Sequence, residues 1–208
     1  MQLLAMLTML IDHVGKAFFP DQLEWQIIGR VAFPIYAYCI VLGYRHTTNL
    51  KKYMIRLLIL ALVSQYPYML VFDTWGLNVV GSLLISLMVI VALDRYRGLF
   101  QALMIVGIAG ILLEGFNFSY GIYGLLLVLV YRYSSKHGLV PLHLVLNVIF
   151  MYVNGWVIGM YNIIPTLLIV YLPVFLEFIE EVRIPRWLWR SFYPAHLAIL
   201  ALLLFVGS

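Results

Sequence analysis

"LTMLIDHVGKAFFP", residues 7–20, sets an acid, an imidazole and an amine inside an apolar run. A lipid-facing helix has no use for Asp12, His13 and Lys16, so the stretch forces a choice of solvent. Composition makes that choice. The 208 residues are 64% hydrophobic and 11% charged, with a mean hydropathy of +1.01, whereas soluble domains are about half apolar and a quarter charged. So little polar surface cannot cover a water-exposed globule. The expected fold class is all-α: a polytopic integral membrane helical bundle, with this stretch as its first helix and the ionisable groups turned inward. The run lacks a basic leader and a small-residue cleavage site, so it reads as a retained helix and not as a signal peptide. Cys39 is the single cysteine, which excludes a disulfide framework. The net charge of +4 sits in short loops and is no nucleic-acid footprint.

A spanning helix needs about 20 mostly apolar residues. Cutting the chain at polar and Gly/Pro/Asn clusters predicts nine runs: 2–19, 26–46, 53–72, 77–95, 99–115, 120–134, 139–156, 161–179 and 187–207. With a cytoplasmic N-terminus, the even-numbered connections carry Arg45, Lys51, Lys52, Arg56, Arg95, Arg97, Arg132, Lys136, Arg183, Arg186 and Arg190. That places 11 of the 13 Lys and Arg on one side, as the positive-inside rule requires. The charged stretch from Glu177 to Arg190 reads as a cytoplasmic connection. No repeat, linker or second domain is visible, and residues 1–208 read as one unit.

The two basic residues outside this pattern are Lys16 and Arg30, which end the first run and start the second. Asp12 and Lys16 are four apart and share a helix face. With His13 and Arg30 they predict a polar knot in the outer half of the membrane. Pairing alone satisfies such charges, yet ionisable residues inside a bilayer mark function by default, and His13 can exchange a proton near neutral pH. The segment "GYRHTTNLKKYMIR", residues 43–56, has two readings. Its basic residues flank helices as topology demands, or Arg45, His46, Lys52 and Arg56, with Tyr53 among them, bind the phosphates of a cytosolic ligand. Further polar intrusions that qualify as site residues are Gln65, Asn78, Glu114, Tyr120, Tyr123, Tyr193 and His196, while His143 reads as structural. No metal-ligand spacing, P-loop or nucleophile elbow appears.

The islands "LTMLIDHVG" (7–15), "IIGRVAFPIYAYCIVLGYRHTTNLKKYMIRLLILALVSQYPYML" (27–70), "LNVVGSLL" (77–84), "YGIYG" (120–124) and "SFYPAHL" (191–197), in this order, resemble the TraX family. Its namesake is the membrane acetylase of F-type conjugative pilin. One departure is Ser82, where a threonine is expected. The resemblance covers nearly the whole chain and implies a bacterial cytoplasmic membrane protein. It implies acyl transfer from cytosolic acetyl-CoA to an acceptor on the extracytoplasmic side: a peptide amine, a pilin N-terminus or a glycan. It is also similar, more distantly, to transmembrane acyltransferases that use a buried histidine, which makes His13 the base. On that reading Asp12 orients His13, Arg30 or else Lys16 stabilises the oxyanion, and the 43–56 cluster grips the CoA phosphates. The rival reading is a proton-coupled transporter or flippase with Asp12, His13 and Glu114 as its relay. The absence of an inverted repeat counts against it.

Overall fold

The computed structural model describes residues 1–172 and 185–207. All regular structure among them is helical, apart from one isolated bridge between Leu77 and Phe118. The helices are α1 Gln2–Phe18, α2 Leu23–Gly29, α3 Ala32–His46, α4 Leu50–Phe72, α5 Val79–Arg95, α6 Leu99–Gly115, α7 Gly121–Tyr133, α8 Lys136–Asn154, α9 Ile163–Tyr171 and α10 Arg186–Gly207. A 3₁₀ turn, Val157–Asn162, leads into α9. Each expected run corresponds to one helix, with two refinements. The second run is split into α2 and α3 at Arg30–Val31, and the eighth is entered through the 3₁₀ turn. The end of the eighth run and the Glu177–Arg183 part of the charged connection lie outside the described residues.

Among the described residues four segments are long and apolar enough to cross a bilayer: Leu23–His46, Leu50–Phe72, Lys136–Asn154 and Trp187–Gly207. The 17-residue helices α1, α5 and α6 extend about 26 Å each, a little under a hydrocarbon core of about 30 Å. Helix α6 shows the solvent most clearly. Leu99, Leu103 and Ile111 are largely exposed, and apolar residues occur on every side. In water that surface would aggregate; in lipid it is the required outer wall.

Alternation of the helices is visible in side-chain contacts at the two ends of the bundle. At one end the C-termini of α3, α5 and α7 converge on Asp94. Its carboxylate accepts from Tyr44 at 2.9 Å, Arg132 at 2.7 Å and Tyr133 at 2.8 Å. At the other end the α4–α5 and α6–α7 connections pair through backbone, Leu77 N–H to Asn117 at 3.1 Å and Ser119 N–H to Leu77 at 2.8 Å. The basic connections after α3, α5 and α7 therefore share one end, the end that the positive-inside rule predicts to face the cytoplasm.

Three buried clusters hold the described bundle; one, of Val89, Ala109, Leu113 and Leu125, seats α6 on α5 and α7, and the other two form its main cores. Phe33, Ile40, Leu87, Tyr123 and Leu127 lock α3, α5 and α7 together, while Met9, Val71, Leu197 and Leu200 join α1, α4 and α10. Asn78 ties the two groups at the outer end. Its side-chain oxygen caps α5 through Val80 N–H at 3.1 Å, and its amide donates to the Ala61 carbonyl at 2.7 Å and to Gln65 at 2.8 Å. Gln65 in turn donates to the Gly76 carbonyl at 2.9 Å. Asn78 and Gln65 thus satisfy backbone at a helix start, which explains both intrusions into apolar runs. Replacing Asn78 by Ala removes a cap worth about 1 kcal/mol and its side-chain hydrogen bonds to Ala61 and Gln65, each worth about 0.5–1.5 kcal/mol. Asn78→Ala is expected to lower the unfolding midpoint in detergent by several degrees, since about 1 kcal/mol moves a chain of this size by about 2–4 °C; thermal unfolding of wild type and variant measures it.

Candidate active site

Asp12 and His13 are both buried, at 5% and 8% exposure. They occupy neighbouring positions on α1, so their side chains project about 100° apart and take different partners. The Asp12 carboxylate accepts from Lys16 Nζ at 2.5 Å and faces Arg30 at 3.7 Å. Its Oδ1 makes no hydrogen bond, so the Arg30 ion pair alone balances that atom. One carboxylate between two cations leaves a formal surplus of one positive charge.

The approach of Arg30 depends on Gly29. A Cβ there would lie 2.2 Å from both the Asp12 Cβ and Oδ1, so only glycine lets α2 close on α1. The chain then turns at Arg30–Val31, and Arg30 also lies over the Tyr120 ring at 6.0 Å. Tyr120 takes a left-handed backbone, φ 65°, uncommon for a residue with a side chain. Its ring stacks on Phe33 at 3.7 Å.

His13 does not contact Asp12. Its Nδ1 lies 2.7 Å from Nε2 of His196 in α10, and the two rings are nearly parallel, 5.0 Å apart. His196 Nδ1 lies 2.6 Å from the Phe192 carbonyl. Phe72 packs its edge on His13 at 5.1 Å, and Phe192 stacks on His196 at 4.7 Å. The orienting partner expected at Asp12 is thus His196, brought in from the far end of the chain.

These groups surround a pocket of about 90 Å³ lined by Asp12, His13, Lys16, Tyr68, Tyr120 and Tyr193, among others. That is several times the roughly 10–15 Å³ needed for one water. Arg30 is not in its wall; Lys16 is. A second, larger cavity of about 1070 Å³ lies between α1, α3, α4 and α10. His46, Tyr53, Arg56 and Arg190 line it toward the cytoplasmic end, and Met9, Tyr36, Val79 and Tyr193 line its inner part. Those last four residues also line the small pocket, so the two spaces adjoin on either side of them. Tyr36 and His46 are ten residues apart on α3, which makes the larger cavity about 15 Å deep. The Tyr193 hydroxyl, buried at this junction, makes no hydrogen bond of good geometry among the described residues.

The remaining sequence candidates separate cleanly. Arg45 reaches the Arg132 carbonyl at 3.4 Å, and neither it nor Lys52 lines the larger cavity. Glu114 caps α7, accepting from Ile122 N–H at 2.7 Å. Tyr123 belongs to a different buried network, bonded to Asn147 at 2.8 Å and His143 at 3.1 Å. Ser82 donates to the Ser119 carbonyl at 2.5 Å, a bond that needs only a hydroxyl. Sequence reasoning missed Gly29, Tyr36, Tyr68 and Arg190 as wall residues. Only Gly29 gave a signal, as the residue beside the anomalous Arg30. Among the described residues no group of three His, Cys, Asp or Glu side chains is arranged to hold a metal.

Comparison with known families gives a match to the TraX protein family over residues 1–204. The chain belongs to the TraX family. A probable fimbrial assembly protein, FimC of serogroup H1, from Dichelobacter nodosus is 30% identical over 80 residues, covering 35% of this chain and 32% of that protein. The aligned part thus spans about a third of the relative's length. No solved structure matches this TraX-family chain.

The contact between Gly29 and Asp12 carries its own test. Gly29→Ala is expected to destabilise by about 1–3 kcal/mol through overpacking, and much less in an Asp12→Gly background where the clash partner is gone. A double-mutant cycle on unfolding midpoints should return a coupling of at least about 0.5 kcal/mol; additive effects would contradict the geometry.

Proposed function

We propose that this TraX-family protein is an acetyltransferase of the bacterial cytoplasmic membrane. It moves an acetyl group from cytosolic acetyl-CoA to an amine or hydroxyl presented from the extracytoplasmic side. The observation that carries the reading is the junction of the two cavities at Met9, Tyr36, Val79 and Tyr193. A phosphate-bearing head gripped by His46, Arg56 and Arg190 leaves the larger cavity free for the pantetheine arm, which ends in a thioester at the junction. A cavity of about 1070 Å³ lies at the upper end of small-molecule sites, roughly 300–1,000 Å³, as a ligand of this size requires.

The chemistry needs a base and an oxyanion donor. His13 takes the proton of the acceptor as its nitrogen or oxygen attacks the thioester carbonyl. Lys16 and the Tyr193 hydroxyl are the pocket donors available to the tetrahedral oxygen, and the surplus positive charge of the Asp12–Lys16–Arg30 group favours the anion. Arg30 serves behind Asp12 by balancing its charge. Collapse breaks the C–S bond, and the proton held by His13 passes to the sulfur. The aromatic walls keep water from the thioester. The Dichelobacter relative's name, a fimbrial assembly protein, supports a pilus or fimbrial subunit as the acceptor.

Calorimetry of acetyl-CoA with the purified protein tests the donor. Arg56→Ala removes a charge-assisted phosphate contact worth about 1.5–3 kcal/mol and is expected to weaken binding about 10- to 100-fold. His13→Gln is expected to leave binding within about threefold while abolishing transfer of labelled acetyl, and Arg45→Ala to change binding far less than Arg56→Ala. Failure of well-folded wild type to bind acetyl-CoA at millimolar concentration would sink the proposal and favour a proton-coupled transporter.

A further inference from the structure

We infer that His196 is a positioning residue that sets the tautomer of His13 and so makes His13 Nε2 the basic atom of the pocket. A backbone carbonyl only accepts hydrogen bonds, so the 2.6 Å contact with the Phe192 oxygen places the proton of His196 on Nδ1. A neutral imidazole carries one N–H, which leaves a lone pair on His196 Nε2. That lone pair faces His13 Nδ1 at 2.7 Å, and one proton must lie between them, so His13 carries its proton on Nδ1. Its Nε2 is then a lone pair with no hydrogen-bond partner among the described residues, on a ring that lines the pocket.

Neutral histidine in water favours the opposite tautomer, with the proton on Nε2. In that form the pocket would hold a donor and no base. Two imidazoles in series, ending on the Phe192 carbonyl, reverse the preference. The same series spreads positive charge away from His13 once Nε2 has accepted a proton. Neighbours fix the rings themselves: Phe72 on His13, and Phe192 and Tyr193 on His196. Asp12 is excluded from the role because its carboxylate is committed to Lys16 and Arg30.

The tautomer assignment rests on geometry alone, and its catalytic consequence rests on the acetyl-transfer reading. On that reading the balance is simple. The acceptor's proton moves to His13 Nε2, the new C–N or C–O bond forms, the C–S bond breaks, and the proton leaves with the thiol. His196 gains and loses nothing over the cycle.

Ring ¹⁵N NMR of histidine-labelled protein in bilayers, at about pH 8 and so above the ordinary histidine pKa of about 6.5, reads the tautomers directly. The His13 signals are assigned as those that His13→Gln removes. Wild type is expected to show His13 protonated at Nδ1. His196→Leu is expected to shift it to the Nε2-protonated form. His196→Gln, whose amide oxygen falls where the acceptor nitrogen lay, is expected to keep the wild-type pattern. His13 protonated at Nε2 in wild type, or an unchanged tautomer in His196→Leu, would overturn the inference whatever reaction the protein performs. In an acetyl-transfer assay, His196→Leu is expected to lower kcat by about 10²–10⁴-fold, the range of general acid–base contributions. KM for acetyl-CoA should stay within about threefold, and His196→Gln should recover at least tenfold of the loss. A correct NMR pattern in a protein that transfers no acetyl group would count against the proposed function and leave the tautomer assignment standing.

Discussion

Asp12 is buried in an apolar bundle with two cations closed on it, and the layout of the first three helices follows from that pairing. Burying an ion costs several kcal/mol, which a partner offsets only with close geometry. Lys16 comes from the next turn of α1. Arg30 must come from the next helix, and it can do so only if the backbone at Gly29 touches Asp12. The chain therefore makes a short helix against α1, turns at Arg30–Val31 and starts again as α3. Because two cations meet one anion, the group keeps a positive surplus beside a small, largely apolar pocket.

Elsewhere in the bundle most buried polar side chains find partners within the fold, as a hydrocarbon solvent demands, although Arg132 Nε, Asn147 Nδ2 and Asn162 Oδ1 have none among the described residues. Asn78 and Gln65 serve the start of α5, Glu114 serves the start of α7, and Asp94 gathers one arginine and two tyrosines at the cytoplasmic end. His143 lies at the centre of α7, α8 and α9, bonded to Tyr123 and to Thr166 at 2.6 Å. Each of these has hydrogen-bond partners within the fold and lines neither of the two spaces described above. The groups at the pocket differ in lining it. Tyr193 carries a hydroxyl without a good partner among the described residues at the cavity junction, and His13 directs a ring into the pocket while only one of its nitrogens is bonded.

This contrast explains what could be read from sequence. The membrane solvent, the nine apolar runs and the alternation of basic connections were all legible, because each depends on local composition or on parity along the chain. The pairing of Asp12 with Lys16 was legible too, being an i,i+4 relation on one helix. The orienting partner of His13 was not. Asp12 is its neighbour in sequence, but neighbouring helix positions diverge, whereas His196 is 183 residues away and only the packing of α1 on α10 joins them. For the same reason "FYPAH" stood out as a polar interruption with no visible purpose. The basic segment 43–56 was legible as a charge cluster, yet which of its members turn inward depends on helix rotation. His46, Tyr53 and Arg56 face the cavity, and Arg45 turns to the neighbouring helix end.

On the proposed reading donor and acceptor approach from opposite sides of the membrane, and the two approaches must meet without forming a pore. Here the cytoplasmic cavity is wide and the Asp12–His13 pocket small, and Met9, Tyr36, Val79 and Tyr193 stand between them. Bulky, mostly apolar side chains at a narrow junction give water and ions little reason to pass, since dewetted constrictions act as barriers. A long, thin arm ending in a reactive carbonyl suits such a junction, because it can fill the wide cavity while presenting only its tip to the pocket. The polar atoms needed at that tip lie on the far side of the junction, where the aromatic rings around His13 and His196 keep the local dielectric low and each charge correspondingly effective. Separating a wide binding cavity from a small reacting one therefore serves two needs at once, keeping the membrane sealed and concentrating the electrostatics where bonds would change.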